Sequence, residues 1–114
     1  MTILYGIKNC DSVKKAKKWL EQQNIPYQFH DFRSDGLSPE LLQEFIKSAD
    51  LTLLLNKRST SFRHLTDEIK NNLTDEVMTE IILAQPTLIK RPLLKHNQDF
   101  LVGFKDSQYQ EILL

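Results

Sequence analysis

The residue type best suited to covalent chemistry occurs once in this chain, at Cys10, within Tyr5-Gly6-Ile7-Lys8-Asn9-Cys10-Asp11-Ser12-Val13-Lys14. A lone cysteine is often an inert, buried small hydrophobe. The position of this one argues otherwise. It sits in a polar turn between Asn9 and Asp11, at the start of a predicted helix, where unpaired N–H groups and the helix dipole favour an anion. Thiolates at such sites, especially beside cations, act as nucleophiles. Lys8 adds positive charge nearby and Asp11 opposes it. The residue three positions on is Val13, so there is no C-x-x-C pair. With no second cysteine in the chain, any disulfide that Cys10 forms is with another molecule.

Arg58, Arg63 and Arg91 are the other chemically suggestive side chains. Arg63 reads as a solvated or salt-bridged surface group. Arg91 differs, because Pro92 follows it and a strand follows that. His30, His64 and His96 are dispersed with no i, i+4 spacing, so no metal site is expected. Three glycines in total supply neither a G-x-G-x-x-G nor a P-loop. The carboxylates show no catalytic pattern. Lys14 to Lys18 reads as the solvated face of an amphipathic helix.

The elements that must position Cys10 follow from periodicity. Ile3 to Ile7 reads as a short buried strand, with Gly6 marking an unusual backbone angle or a close chain approach. Ser12 to Gln23 is helical, with Val13, Ala16 and Leu20 on one face and Trp19 at its edge. Asn24 resembles a helix C-cap and Pro26 cannot continue the helix. Ile25 to Phe32 alternates as a second strand, and Ser34-Asp35-Gly36 signals a turn. Ser38 and Pro39 start a helix with Leu41, Leu42, Phe45 and Ile46 as its apolar face. Residues 50–73 read as short helical pieces and loop. Thr74 caps a helix through Ala84, ended by Pro86. Leu93-Leu94 and Phe100-Leu101-Val102 form a hairpin around a polar loop at His96-Asn97-Gln98-Asp99. Asp106-Ser107 caps a last helix that turns Tyr109, Ile112 and Leu113 inward.

The order β-α-β, helical middle, β-β-α predicts an α/β chain. Its βαβ unit implies parallel strands with a right-handed crossover, and the hairpin adds an antiparallel edge. That arrangement is a thioredoxin-like fold, a mixed four-stranded sheet, with a helical insertion at about residues 37–85. At 114 residues a single domain over 1–114 is expected. Fifteen basic and fifteen acidic residues cancel, so no global field points to nucleic acid or an acidic membrane. The N-terminus does not read as a signal peptide, and the longest apolar run, around Leu51 to Leu55, is too short for a membrane span. A reducing cytoplasm fits a chain without disulfides.

The ordered segments YGIKNCDSVKKAKKWL, FHDFRSDGL, LLNKRSTSFR, PTLIKRPLL and VGFKDSQY together resemble the ArsC/Spx superfamily, and within it the YffB-like branch of small bacterial proteins. The resemblance spans essentially the whole chain. It implies a reactive cysteine at the first helix of a thioredoxin-like fold. In arsenate reductases of this superfamily the cysteine attacks arsenate, glutathione resolves the adduct, and arginines bind the oxyanion. By position Cys10 is the nucleophile, Arg58 and Arg91 match two of those arginines, and Pro92 matches the cis-proline. The departures are informative. Around the cysteine the arsenate pattern is close to Y-H-N-P-x-C-x-x-S-R. Here Gly6 stands for the histidine and Asp11-Ser12-Val13-Lys14 for the segment ending in Ser/Thr-Arg. Phe104 occupies the place of a third arginine. Val13 removes the C-x-x-C switch of the Spx regulators.

These readings point to a glutathione-dependent thiol reductase with no bound cofactor. Cys10 forms a mixed disulfide that external glutathione, as co-substrate, resolves. Lys8, Arg58, Arg91 and the backbone at Pro92 are expected to bind glutathione. Asp106 and Ser107 resemble the place where glutaredoxins hold the γ-glutamyl end. Expected partners are glutathione and a glutaredoxin or oxidised thiol substrate, with the chain a monomer that binds neither nucleic acid nor membrane. The alternatives are a glutathione- or glutaredoxin-dependent arsenate reductase and a non-catalytic Spx-like interaction module.

Overall fold

The computed structural model describes all residues from Met1 to Leu114. It divides into two compact units, one made of residues 1–36 and 91–114, the other of residues 37–90. No helix is long and apolar enough to cross a membrane.

The first unit is built on a four-stranded sheet in the order β2-β1-β3-β4. Its strands are β1 (Thr2–Gly6), β2 (Gln28–Asp31), β3 (Leu93–His96) and β4 (Asp99–Val102). β1 pairs parallel with β2, Tyr5 opposite His30 and Gly6 opposite Asp31. It pairs antiparallel with β3, Leu4 opposite Leu94 and Tyr5 opposite Leu93, and β3 pairs antiparallel with β4. Helix α1 (Asp11–Gln22) makes the crossover between the parallel strands, and the last helix (Asp106–Leu113) follows β4. This is the thioredoxin-like arrangement that the element order predicts.

Side-chain alternation explains how the sheet holds its helices. Leu4 and Leu94 are register partners and share one face. They are buried with Val13, Ala16, Trp19 and Leu20 of α1 and with Tyr109 of the last helix. Trp19 meets Tyr109 edge-on, with ring centroids 5.6 Å apart. On the other face, Tyr5 is buried and stacks on Phe32 at 6.2 Å. The His30 ring tilts against it at 5.2 Å, and His30 Nε2–H donates to the Gly36 carbonyl at 2.7 Å.

Three details differ from the pattern reading. Helix α1 begins at Asp11 rather than Ser12, which makes Cys10 its N-cap. β2 is shorter than Ile25–Phe32, because the end of α1 uses the residues before it. Asn24 is left-handed at φ 57°, its N–H donates to Glu21, and Ile25 N–H donates to Leu20. That is a Schellman closure, and Pro26 then has no N–H for a ladder. The hairpin loop is also tighter than four residues. His96 pairs with Asp99, leaving Asn97 and Gln98 as the turn, with Asn97 at φ 54° as two-residue hairpin turns favour.

The second unit is helical: α2 (Pro39–Ser48), the single turns α3 (Leu51–Leu54), α4 (Thr60–Arg63) and α5 (Asp67–Lys70), then α6 (Asp75–Ala84) and a 3-10 turn at Pro86–Leu88. Ser38, Ser59, Thr66 and Thr74 each cap a helix by accepting from the backbone N–H three residues on, the role such side chains are suited to. The unit is closed by Asn56 N–H donating to Leu88 and Lys90 N–H donating to Leu54, both at 2.7 Å.

Candidate active site

The register of the sheet gathers most of the candidate residues at one end of the first unit. β1 runs out at Gly6, and the chain turns through Ile7 to Asn9 into α1. β3 begins at Leu93, opposite Tyr5, so Arg91 and Pro92 lie just beyond the same end. β4 ends at Val102, opposite Leu93, so residues 103–107 leave from there too. Lys8, Cys10, Arg91, Pro92, Asp106 and Ser107 therefore share one end of the sheet. Arg58 does not join them within this unit, because it belongs to the helical one.

Cys10 is half-buried against the margin of the core. Its backbone is extended, φ −91° and ψ 128°, as an N-cap requires. The residue is tied at both ends. Its N–H donates to Ile7 at 3.2 Å, and its carbonyl accepts from Lys14 at 3.0 Å. Its side chain makes no capping bond to the first-turn amides, so the sulfur is not committed to the helix. Lys8 and Asp11 on either side are exposed. The sulfur thus sits at the electropositive start of a 12-residue helix.

Arg91 is half-buried and Pro92 buried, and the peptide between them is cis. The Pro92 carbonyl accepts from Gly103 N–H at 2.8 Å, which joins the start of β3 to the exit from β4. Gly103 turns the chain there at φ 82°. The last helix, which we label α7 (Asp106–Leu113), begins with Lys105 as its cap residue. This corrects the expectation that Asp106-Ser107 caps it. The turn at Gly103 brings the chain into helical register one residue earlier, and Asp106 becomes the first helical residue. There an acidic side chain still favours the helix start. Lys105 supplies no side-chain acceptor, and Asp106 and Ser107 are exposed.

Phe104 is half-buried and meets Tyr109 edge-on at 4.8 Å. The position where the family pattern has a third arginine is thus part of an aromatic wall. Tyr109 is fully buried, its hydroxyl makes no hydrogen bond, and burial pushes its ionisation well above the ordinary tyrosine range.

In the helical unit, Arg58 lies in a turn held by Asn56, whose Oδ1 accepts from Arg58 N–H at 3.1 Å. Ser59 N–H donates to the Asn56 carbonyl and Ser59 caps α4. The Arg58 side chain is exposed, and its carbonyl accepts from Arg63 Nη2 at 3.4 Å.

Sequence reasoning missed the partner that Gly6 packs against. A Cβ built on Gly6 would lie 2.5 Å from Val13 Cγ2. Glycine in an apolar run signalled either close approach or an unusual angle, and the structure selects close approach. It also missed Lys17, which lies over the Phe29 ring at 3.6 Å and so fastens α1 to β2.

The ArsC family model matches residues 5–112. An uncharacterized protein of Haemophilus influenzae is 43% identical over 110 residues, 96% of each chain. The global transcriptional regulator Spx of Lactiplantibacillus plantarum is 28% identical over 115 residues, 99% of this chain and 86% of its own. Among solved structures, the YFFB protein superposes with a TM-score of 0.94 at 38% identity, over 100% of both chains. An arsenate reductase (ArsC) related protein from Brucella melitensis gives 0.80 at 42% identity, over 97% of this chain and 92% of that one.

Proposed function

The chain belongs to the ArsC family, and from that premise we propose that it is a glutathione-dependent thiol reductase with Cys10 as its nucleophile. The observation that carries this reading is the placement of Cys10. The chain's single thiol is the N-cap of α1, at the end of the sheet where Arg91 and the cis Pro92 enter β3.

The Cys10 thiolate attacks the glutathione sulfur of a mixed disulfide R–S–S–G. A Cys10–glutathione disulfide forms, and R–S⁻ leaves and takes a proton from solvent. A second glutathione, as thiolate, attacks the glutathione sulfur of that adduct. Glutathione disulfide forms and Cys10 departs as thiolate. Overall the R sulfur is reduced to the thiol and one incoming glutathione thiol is oxidised, the glutathione sulfur already in the mixed disulfide keeping its disulfide oxidation level as it passes from substrate to Cys10 to glutathione disulfide. An external thiol is required because Val13 stands where a resolving cysteine would be. A reducing cytoplasm, where glutathione is abundant, is the setting this chemistry needs.

Lys8 and Arg91 sit at the same end of the sheet and have the charge to bind glutathione carboxylates, Arg91 through its bidentate fork. Asp106 and Ser107 at the open start of α7 are the candidates for the γ-glutamyl end. Arg58, in the helical unit, matches by position an arginine that binds the oxyanion in arsenate reductases of the superfamily. Arsenate is disfavoured as substrate by Asp11 beside the sulfur and by Phe104 packed on Tyr109.

The test is turnover with glutathione, comparing a glutathione mixed disulfide with arsenate. Turnover of the disulfide and little of arsenate is expected. Arsenate turnover without thiol–disulfide exchange would replace this reading with arsenate reduction. The similarity to an Spx regulator over 99% of this chain and 86% of that protein favours a second reading, a non-catalytic interaction module. That reading gains if Cys10 is alkylated readily yet neither substrate turns over.

A further inference from the structure

We propose that Gly6 and Val13 form a matched steric pair that positions Cys10, so that glycine at position 6 is a requirement of the thiol site rather than of the strand. The proposal deepens the thiol-reductase reading, but it rests on geometry that holds whatever the substrate is.

Gly6 is the last residue of β1 and is buried. It has no unusual backbone angle: the glycines at positive φ are Gly36 and Gly103. Neither of those meets any atom within 4 Å of an added Cβ. Gly6 is the opposite case. An added Cβ would lie 2.5 Å from Val13 Cγ2, 3.5 Å from Cγ1 and 3.6 Å from Cβ. Atoms in contact do not approach so closely, so something must move.

Neither partner yields easily. Val13 is fully buried in the core of the sheet unit. It is β-branched, and in a helix such a side chain has one strongly preferred rotamer, so it cannot swing its methyl aside. Gly6 is held from the other side, because its carbonyl accepts from Phe32 N–H at 2.9 Å and it pairs with Asp31. The displacement therefore falls on the first turn of α1.

Cys10 moves with that turn. Its carbonyl is bonded to Lys14, next to Val13, and its N–H closes the short turn back to Ile7, next to Gly6. The five-residue path from Gly6 to Cys10 has little slack in which to absorb a shift. Gly6 acts through Val13 and the first turn, without touching the sulfur, and is a positioning residue.

The experiment measures the second-order rate of Cys10 alkylation by iodoacetamide in the full chain, without glutathione. A failure of the glutathione reading therefore leaves its outcome unaffected. Moving the sulfur off the electropositive start of α1 removes the support that position gives an anion, so Gly6→Ala should lower the rate by about fivefold or more. Val13→Ala in the same chain removes the clashing Cγ2 methyl together with Cγ1, and the double variant Gly6→Ala/Val13→Ala should regain the wild-type rate within about twofold. A merely structural role for Gly6 would lower the stability of Gly6→Ala and leave the alkylation rate of the folded protein unchanged. A folded Gly6→Ala protein with the wild-type rate would overturn the proposal. So would a folded double variant that stays at the lower rate. If Gly6→Ala alone does not fold, the double variant decides by the same criterion.

Discussion

Two side chains carry contrasting expectations, one for activity and one for stability. Cys10 is the chain's single thiol, so Cys10→Ser should abolish glutathione-dependent disulfide turnover outright. A serine oxygen cannot form the mixed disulfide, and no other residue can substitute. Residual turnover in that variant would move the nucleophile elsewhere. Tyr109 is the opposite kind of residue. Its ring is well used, edge-on to Trp19 and Phe104, but its hydroxyl is buried without a hydrogen bond. A buried polar group left unsatisfied costs about 1–3 kcal/mol. Tyr109→Phe keeps the ring and removes that cost, so it should raise Tm by about 4 °C in a calorimetric scan. A lowered Tm would show that the hydroxyl is satisfied after all. The inward-facing ring was legible in the sequence from helical spacing. The unpaired hydroxyl was not, because no pattern of residue types encodes which groups surround a phenol.

The junction between α1 and β2 concentrates local interactions. Asn24 ends α1 in the left-handed region, where a side chain with a Cβ costs about 1–2 kcal/mol unless it is Gly or Asn. Asn24→Ala should therefore lower stability by about 1 kcal/mol in urea unfolding, and Asn24→Gly should be close to neutral. Just beyond, Tyr27 donates its hydroxyl hydrogen to Glu21 Oε2 at 2.8 Å. Burial, then that hydrogen bond and the Glu21 charge, push Tyr27 up to about 12 from 10.0. Because the folded value lies above the unfolded one, the associated stability is fully present below pH 10 and is lost as pH rises to about 12. The stability difference between wild type and Tyr27→Phe should be constant below pH 10 and shrink through that window. Glu21→Gln should lower the Tyr27 midpoint, read by ultraviolet absorbance, while leaving the part due to burial. Asn24 and Pro26 made the helix end readable in advance. The Schellman closure that shortens β2 was not, since it depends on which carbonyl each N–H finds.

At the scale of the whole molecule, the β-α-β, helical, β-β-α order was readable because hydrophobic periodicity and the Ser and Thr caps agree element by element. The placement of Cys10, Arg91 and Pro92 at one end of the sheet then followed from strand order and register. What periodicity could not supply was the closeness of Gly6 to Val13, because contact across a strand and a helix depends on coordinates and not on spacing. The same arrangement predicts how the fold depends on its thiol. With one cysteine there is no internal cross-link, so stability rests on the buried residues around Leu4, Leu20, Leu94 and Tyr109 in one unit and on Leu42, Phe45, Leu54 and Ile82 in the other. Cys10 lies at the margin of the first set and is only half-buried. Replacing its sulfur by oxygen leaves no cavity in the core and cuts no covalent tie. Cys10→Ser should therefore unfold within a few degrees of wild type, since a loss of about 1 kcal/mol or less corresponds to about 4 °C. Reductant should leave the wild-type midpoint unchanged. A Cys10→Ser protein that fails to fold, or a wild-type midpoint that falls on reduction, would make the thiol a structural element and remove the basis for reading it as a nucleophile.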